Sequence, residues 1–468
     1  MMLIRIAFRN ILRNARRSLM TTSAIAVGVA ALVLFGEFVG NVITGLQTQT
    51  VRRYGHLTVF RTGYFNFGAG NPGAYGISDY QRVMQLIKDD PLIAPRLRVV
   101  TPSVTLFGIA GNFDIDASKT FFGVGVVPSD RDRLRTWDEY RQFAGQAPED
   151  SGLRDDDETR GAIGVGLARV LGLCESLKLA DCPARPEATA ERAKGEPTPS
   201  PAVLELAQRD RAPGSDAGDG TAPRLDLLAA TTGGAPNVLS LYVAKAEPQG
   251  AKELDDSFVA MHFSLAQKLL YGRGEHKALG IVLQLNRTED MPAVRARLVG
   301  LLKDHGLDLE VRDFAELWPF YKQVIGMFGA IFSFLAVIMG VIVLFTVVNT
   351  MSMSVMERTS EIGTARAMGL RRAGIRRQFV IEGSMLGAIG ATVGLVLAAL
   401  LAFAINHAGL TWTPPNSASP IPLRVLTSGV ATLNLAIWLG LVLMSSLAAL
   451  LPANRAARLP VVDALRHI

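Results

Sequence analysis

The sequence predicts an α-helical membrane protein with four transmembrane helices and a large α+β periplasmic domain between helices 1 and 2. Its 468 residues have a mean hydropathy of +0.26, and 19% of them are charged, whereas soluble domains carry about 25%. Four apolar windows have the length of about 20 residues that a spanning helix needs. A long polar segment separates the first window from the other three. Together these observations exclude an ordinary soluble globular chain.

The four predicted spans are the most apolar windows of the chain. They are residues 19–40, 324–348, 379–405 and 431–451. Buried helices of soluble proteins seldom stay apolar on all sides for so long. The first window has a rival interpretation as a cleaved signal peptide, because Ala24-Ile25-Ala26 resembles a cleavage site. Only Leu19–Ser23 separate that site from the basic residues, which leaves no room for an apolar core of about 7–15 residues, so we expect an uncleaved anchor.

The placement of Lys and Arg predicts the orientation of the spans. Arginine is in excess in residues 1–18, 349–378 and 452–468, whereas residues 406–430 contain a single basic residue. Residues 41–323 hold 33 basic and 37 acidic residues, and so carry a net negative charge. We therefore expect a cytoplasmic N-terminus, loop and tail in a bacterial inner membrane, with the two remaining segments in the periplasm. Anionic lipid headgroups account for the basic segments without nucleic acid.

Segment 41–323 is predicted to be an α+β domain. Its end contains a strand–helix–strand pattern over Gly280–Leu285, Met291–His305 and Leu309–Phe314. Gly161–Leu179 has apolar residues at helical spacing. The composition thus favours a domain built partly from βαβ units.

An insertion interrupts this domain at residues 181–225. It is rich in Pro, Ala, Gly and charged residues, which predicts a flexible surface segment. A loop that binds a partner is the alternative. Cys174 and Cys182 lie at its start, and in an oxidising compartment they either pair or remain two free thiols.

The chain lacks the motifs of familiar catalytic and metal sites. Neither G-x-x-x-x-G-K-[ST] nor H-E-x-x-H occurs, and the two cysteines and six histidines do not have zinc-site spacing. Asp255 and Asp256 are adjacent carboxylates, but no nucleophile accompanies them, so we expect a loop rather than a catalytic pair. We expect no enzymatic activity, and no cofactor or metal bound by this chain.

The loop 349–378 contains the most informative run of residues, MSVMERTSEIGTARAMGLRRAGIRR at 353–377. Ile362, Ala365 and Met368 recur at helical spacing, and Gly369 is suited to end the helix in a left-handed turn. One interpretation is a solvated helix that joins two spans. The other is an amphipathic helix that docks in a partner's groove. Position alone leaves both open.

Several motifs resemble FtsX-like permeases of the MacB/LolCDE (type VII) superfamily of ABC transporters. The run Glu357–Gly369 is similar to the signature of that family. Three further segments resemble its start, its third span and its C-terminal motif: Ala7–Asn14, Gln378–Gly383 and Leu451–Arg458 with Asp463–Arg466. Arg53–Val59 and Trp318–Tyr321 look most like the lipoprotein-releasing permeases LolC and LolE.

This resemblance implies a permease whose large periplasmic domain is MacB-like and whose coupling helix sits in a groove of a separate cytoplasmic ABC ATPase. The residues implied to contact the ATPase are Glu357, Arg358, Glu361, Ile362, Ala365, Arg366 and Met368. ATP and Mg²⁺ would bind in that ATPase. A second permease, either the same chain or a paralogue, would complete a dimer, and a periplasmic carrier or adaptor would assist it.

The function that the resemblance implies is mechanotransmission across the inner membrane, most concretely for lipoprotein transport and release. One alternative is a MacB-like efflux permease with a periplasmic adaptor. The other is an FtsX-like mechanotransmitter that regulates a cell-wall hydrolase.

The third predicted span combines small residues with one carboxylate. Gly383 and Gly387, and then Gly390 and Gly394, form two G-x-x-x-G pairs that allow close helix packing, either against a second permease or within one bundle. Glu382 is expected to lie shallow enough to reach the membrane interface. Membrane lipid is therefore an expected partner of this region.

Overall fold

The computed structural model describes residues 2–68, 71–113, 115–143, 150–179, 182, 222–272, 274, 276–412, 421–425 and 430–461. The chain divides into two units. The helical unit comprises Met1–Leu46, Pro319–Trp412 and Ile421–Ile468, and the mixed unit comprises Gln47–Trp318 and Thr413–Pro420. Most of the predicted insertion, residues 183–221, lies outside the described residues.

The α-helices of the described residues are numbered in chain order. They are α1 (Met2–Arg13), α2 (Ala15–Tyr54), α3 (Tyr64–Phe67), α4 (Tyr80–Asp89), α5 (Pro128–Arg135), α6 (Val165–Val170), α7 (Lys252–Asp255), α8 (Phe263–Tyr271), α9 (Met291–Asp304), α10 (Phe314–Leu317), α11 (Pro319–Glu357), α12 (Thr359–Ala367), α13 (Arg372–His407) and α14 (Ala431–Arg458). Short 3₁₀ helices span Pro72–Tyr75, Ala94–Arg96 and Thr288–Asp290.

The strands are numbered in the same way. They are β1 (Leu57–Arg61), β2 (Leu97–Asn112), β3 (Ala117–Val126), β4 (Arg160–Gly164), β5 (Arg224–Ala230), β6 (Pro236–Glu247), β7 (Phe258–His262), β8 (Gly280–Leu285), β9 (Leu309–Asp313), β10 (Thr411–Trp412) and β11 (Ile421–Pro422). The last two form a small antiparallel hairpin in sequence between α13 and α14.

Four helices among the described residues are long and apolar enough to cross a membrane: α2, α11, α13 and α14. Each contains one predicted span and extends beyond it. Both ends of the predicted loop 349–378 are therefore helical, because α11 runs to Glu357 and α13 starts at Arg372. The predicted tail 452–468 likewise begins as helix, since α14 continues to Arg458 with Pro452 inside it.

The mixed unit is built on a nine-stranded sheet in the order β3-β7-β4-β6-β5-β2-β8-β1-β9. Strand β2 is long enough to serve two parts of this sheet. Its first half, Leu97–Ser103, pairs with β8, and its second half, Val104–Asn112, pairs with β3. Because β2 also pairs with β5, the six strands from β3 to β2 close into a ring. Strands β8, β1 and β9 continue the sheet from the other half of β2.

The predicted strand–helix–strand pattern is confirmed as β8, α9 and β9. Both strands are antiparallel to β1, which lies between them, so they are parallel to each other. Helix α9 covers this part of the sheet, and buries Val294 and Leu298 in the same apolar cluster as Leu283. The α+β character predicted for the segment is therefore confirmed.

Two local predictions in the mixed unit are wrong. Gly161–Leu179 begins as strand β4 and becomes helical only at Val165, because Gly161–Gly164 pair with β6 and β7. The predicted end of the flexible insertion, residue 225, is two residues too late. Arg224 already starts β5, and Leu225 is fully buried in the core at the ring of six strands.

Candidate functional site at the arginine-rich end of the helical unit

Helix α12 carries the family-like motif, and its two ends follow from its sequence. Arg358 separates it from α11, and Gly369 has a positive φ of 96° that favours glycine. The N–H of Leu370 donates to the Ala365 carbonyl at 3.1 Å, and the N–H of Gly369 donates to the Arg366 carbonyl at 3.0 Å. These two bonds form a Schellman motif, which satisfies the last carbonyls of the helix. The predicted left-handed end at Gly369 is confirmed.

The inner face of α12 packs on the helical unit. Ile362 and Gly363 are buried, and Ile362 belongs to the same apolar cluster as Ile11, Ile375 and Phe379. These partners come from α1 and α13. The short helix therefore shares an apolar cluster with α13, the next helix in the chain, and with α1, which is far from it in sequence.

A buried ion pair lies behind α12. Arg358 is 5% exposed and Glu382 is 4% exposed, and Arg358 Nη1 lies 3.1 Å from Glu382 Oε2. Asn10 Nδ2 donates to the same carboxylate oxygen at 3.5 Å, and the guanidinium lies 5.9 Å from the ring centroid of Phe379. Removing two charges from water is costly, so such a pair persists only when each charge compensates the other. The expectation that Glu382 reaches the membrane interface is wrong, because its carboxylate is buried and paired with Arg358.

The outer carboxylates of the motif pair with the N-terminal segment. Arg13 Nη2 lies 3.0 Å from Glu361 Oε1, and Arg17 Nη1 lies 2.8 Å from Glu357 Oε1. Asn14 Nδ2 also donates to Glu357 Oε2 at 3.4 Å. Exposed pairs of this kind contribute little individually, about 0–1 kcal/mol. The pair of Arg13 and Glu361 joins α1 to α12, whereas the pair of Arg17 and Glu357 joins α2 to the end of α11.

The C-terminal segment supplies a further contact to the motif. Arg366 donates through Nη1 to the backbone carbonyl of Leu459, just after α14. Helix α12 is thus joined to α1, α13 and the end of α14. A displacement of α12 would have to move these three elements or break their contacts.

The outer face of this region is apolar and basic. Met356, Met368 and Leu370 are 70%, 79% and 44% exposed. The arginines that follow them are also exposed: Arg371, Arg372, Arg376 and Arg377. We call Met356, Met368, Leu370 and these four arginines the coupling surface. Exposed apolar side chains rimmed by charge are typical of surfaces that bind a protein partner.

The residues implied to contact an ATPase fall into three groups. Arg358 and Ile362 are buried within the helical unit, so the structure contradicts a direct contact with a partner. Glu357, Glu361, Ala365 and Arg366 are exposed or half-buried, and all but Ala365 bind other parts of this chain. Met368 alone is both predicted and freely exposed. The helical pattern identified the helix, but it could not separate its inner from its outer face.

Sequence reasoning did not identify the residues that hold the motif from outside it. These are Asn10, Arg13, Asn14, Arg17 and the backbone of Leu459. A signal was present, because Ala7–Asn14 and Leu451–Arg458 also resemble the family. What the sequence lacked was the pairing of these segments with particular carboxylates.

The four glycines of α13 face two different neighbours within the same chain. A methyl group on Gly383 or Gly387 would lie 2.5 Å from Ala449 Cβ or 2.6 Å from Ser445 Cβ, both on α14. On Gly390 it would lie 2.7 Å from Ile25 Cβ of α2. On Gly394 it would lie 2.6 Å from the Ala26 oxygen, also on α2. Of the two alternatives for these pairs, the structure therefore favours packing within one bundle.

The mixed unit contains polar clusters whose geometry is structural. Asp255, which is buried, accepts hydrogen bonds from the N–H groups of Val165 and Gly166 at 3.1 and 2.9 Å, and so caps α6. The sulfur atoms of Cys174 and Cys182 are bonded as a disulfide. Within the described residues, no group of three or more His, Cys, Asp or Glu side chains is placed to hold a metal ion.

Glu247 is the most strongly compensated carboxylate of the mixed unit. It is buried and lies 2.7 Å from Arg131 Nη2 and 2.9 Å from Arg135 Nη1. Burial alone would raise the pKa of Glu247, but the two guanidinium groups outweigh it and hold the pKa below its ordinary value. The cluster keeps its charge and ties α5 to the end of β6.

Residues 332–461 match the model of the FtsX-like permease C-terminal family, a region that includes α12, Glu382 and the coupling surface. The chain is 28% identical over 237 residues to the macrolide export ATP-binding/permease protein MacB of Hyphomonas neptunium, covering 50% of this chain and 34% of that protein. It is 32% identical over 224 residues to MacB of a Shewanella species, covering 46% and 33%.

An uncharacterised ABC transporter permease of Methanocaldococcus jannaschii is 30% identical over 163 residues, covering 34% of this chain and 40% of that protein. The chain spans about a third of the length of the MacB proteins that it matches. The family match and the MacB-like relatives agree with the arrangement of apolar helices around the motif. Residues 332–461 therefore resemble the C-terminal region of FtsX-like permeases, and the chain is similar to ABC transporter permeases such as MacB.

Proposed function

We propose that this permease couples ATP hydrolysis in a separate cytoplasmic ATPase to conformational work on the other side of the membrane. The observation that carries the proposal is the two-sided character of α12. Its inner face is fixed to three other elements, whereas Met356, Met368 and Leu370 next to it are exposed beside four arginines. A partner that binds this surface can therefore move the helices behind it. ATP and Mg²⁺ would bind in the partner.

The contacts suggest a route for this movement. A push on α12 would act on α13 through Arg358 and Glu382, which lie 3.1 Å apart. Helix α13 packs closely on α14 and α2 through its glycines, so its displacement would shift those helices as well. Helix α2 continues from the helical unit into residues that belong to the mixed unit. We infer that these helices carry the movement to the mixed unit.

The charge distribution supports a cytoplasmic position for the arginine-rich end and a periplasmic position for the mixed unit. Loops with excess arginine remain on the cytoplasmic side, and the coupling surface contains four exposed arginines. An ATPase would meet the coupling surface on that side.

We propose lipoprotein release as the cargo function, with a second permease in the assembly and a periplasmic carrier. The residues Arg53–Val59 and Trp318–Tyr321, which resemble lipoprotein-releasing permeases, support this choice. A second candidate is efflux with a periplasmic adaptor, because two of the proteins similar to this chain are macrolide export proteins. The two functions differ in the partner that they require.

The test is purification of the tagged chain from its native host in mild detergent, followed by measurement of subunit masses and stoichiometry. We expect an ATPase together with a second permease chain. Bound lipoprotein or a carrier would support release, whereas an adaptor would support efflux. A cell-wall hydrolase in their place would overturn both in favour of a regulatory role. If no ATPase is recovered under conditions that keep the permease folded, the coupling function is wrong.

A substitution at Met368 tests the coupling surface itself. Met368→Asp places a charge at the most exposed apolar position of the motif, and we expect recovery of the ATPase to fall by a factor of about 30, as for loss of a central interface residue. Met368→Leu keeps the apolar side chain and is the matched control. Equal recovery of the ATPase with both variants would contradict the assignment of this surface.

A further inference from the structure

Helix α1 has one face turned into the helical unit and one turned away from it. Ala7, Asn10 and Ile11 are buried, and they recur at the spacing of a single helical face. Arg5, Arg9 and Leu12 are exposed and also fall on one face, at positions i, i+4 and i+7. Of the described side chains on this exposed face of α1, two are therefore cationic and one is apolar.

The inner face prevents α1 from rotating to bury these arginines. Ile11 belongs to the apolar core of the helical unit, and Asn10 donates to Glu382. Arg13, at the end of the helix, pairs with Glu361. Arg5 and Arg9, by contrast, form no ion pair or hydrogen bond with any residue that the structure describes. Two cations are thus held outward by contacts on the opposite side of the helix.

The residues that follow α1 indicate what lies beside this face. Arg16 is exposed in the first turn of α2, and the next exposed large apolar side chains are Leu19, Met20 and Val27. These three apolar residues belong to a helix that is apolar enough to span a membrane, so they are suited to face hydrocarbon. The arginines lie immediately before them in the chain, where the headgroups of the leaflet are expected.

We propose that Arg5, Arg9 and Arg16 form a binding site for anionic phospholipid headgroups, which we call the α1 lipid site. The guanidinium group is suited to a phosphate because it presents two parallel N–H donors. Each basic residue near an anionic membrane surface adds about a fivefold preference for it. An acidic protein surface would offer similar charge, but it would not account for the exposed apolar side chains that follow these arginines in the chain. Lipid binding is measured on the permease alone, so it does not depend on the proposed coupling function.

The experiment uses the full chain, purified in a neutral detergent and titrated with phosphatidylglycerol or phosphatidylcholine. Bound lipid is counted by native mass spectrometry. We expect the wild-type chain to prefer phosphatidylglycerol, and Arg5→Gln/Arg9→Gln to bind it about 25-fold more weakly, at about fivefold per arginine. The matched control is Arg82→Gln/Lys88→Gln, which removes the same charge from exposed positions on α4 of the mixed unit. We expect this control to keep the affinity of the wild-type chain.

A third variant, Arg5→Lys/Arg9→Lys, keeps the charge and should retain a preference for phosphatidylglycerol, and it remains informative if the glutamine variant is poorly folded. Three results would overturn the proposal. The first is equal binding of the two lipids by the wild-type chain. The second is an equal loss of binding in the α1 and α4 variants, which would mean that net charge alone attracts the lipid. The third is loss of ATPase recovery with unchanged lipid binding, which would assign the arginines to a protein partner.

Discussion

Arg358 and Glu382 form an ion pair in which each charge offsets part of the cost of removing the other from water. Both side chains are almost fully buried, and Asn10 supplies the one additional hydrogen bond to the carboxylate that the structure shows. The sequence places an arginine next to a coupling motif and a carboxylate inside an apolar window. Only the fold reveals that the two meet and that neither is free to contact a partner.

This pair leads to a prediction about stability. Arg358→Met should destabilise the chain by about 3–5 kcal/mol, because it leaves the Glu382 carboxylate buried without its partner. Arg358→Met/Glu382→Met should recover most of that loss, since neither charge remains. The measurement is thermal unfolding of the detergent-purified chain, combined as a double-mutant cycle. Strictly additive losses in the two single variants would show that the pair is not coupled.

The lowered pKa of His56 leads to a prediction about how the stability of the mixed unit depends on pH. Its Nδ1 accepts from the N–H of Leu285 at 3.0 Å, so the neutral ring carries its proton on Nε2, which lies 3.2 Å from Thr288 Oγ1. Burial lowers the pKa of His56 from 6.5 to about 3. Between these values the unfolded chain binds more protons, so the stabilising contribution is complete above about pH 6.5 and is lost as the pH falls.

We expect the free energy of unfolding to fall by up to about 1.4 kcal/mol per pH unit from this residue between about pH 6 and pH 4. His56→Asn preserves an acceptor near the Leu285 N–H and removes the titrating ring, so its unfolding temperature should depend less on pH. His407→Asn, at an exposed position, is the control and should keep the wild-type slope. An unchanged slope in His56→Asn would mean that His56 does not titrate on unfolding.

At the scale of elements, α13 is a helix whose close packing depends on small residues. Gly394 lies against a backbone oxygen of α2, which cannot move aside as a side chain can. Gly394→Ala should therefore destabilise the chain by about 1–3 kcal/mol through overpacking. Gly440→Ala on α14 has nothing within 4 Å of the added methyl group and should be neutral or slightly stabilising. Equal unfolding temperatures for the two variants would contradict the close approach of α13 and α2.

Elements with a strong local pattern were predictable, and elements defined by distant pairing were not. Strand β8 begins and ends at the predicted residues Gly280 and Leu285, because an apolar run that starts after a glycine and stops before Asn286 is a local signal. Strand β4 was missed because Gly161–Gly164 become a strand only by pairing with β6 and β7. For the same reason the closed ring of strands could not be derived from the chain alone.

The candidate site divides in the same way. The end of α12 at Gly369 follows from local backbone chemistry and was predicted from one residue. The inward direction of Arg358 and Ile362 depends on tertiary contacts with α1 and α13, so the helical pattern of the motif alone could not show it. The part of a site that a partner would contact is thus harder to predict than the helix that carries it.

At the scale of the whole molecule, the charge distribution predicts that α12 and the mixed unit lie on opposite sides of the membrane. Ser360 in the first turn of α12 and Ser118 on β3 are both exposed and can each be replaced by cysteine. The two native cysteines are bonded to each other, so the wild-type chain is a control without a free thiol. In cells with a permeabilised outer membrane, an impermeant maleimide should label Ser118→Cys and leave Ser360→Cys unlabelled. After detergent lysis both should react, which verifies that each thiol is accessible. Labelling of both variants before detergent lysis would place α12 and the mixed unit on the same side of the membrane. A cytoplasmic ATPase could then not bind α12 while cargo meets the mixed unit on the opposite side.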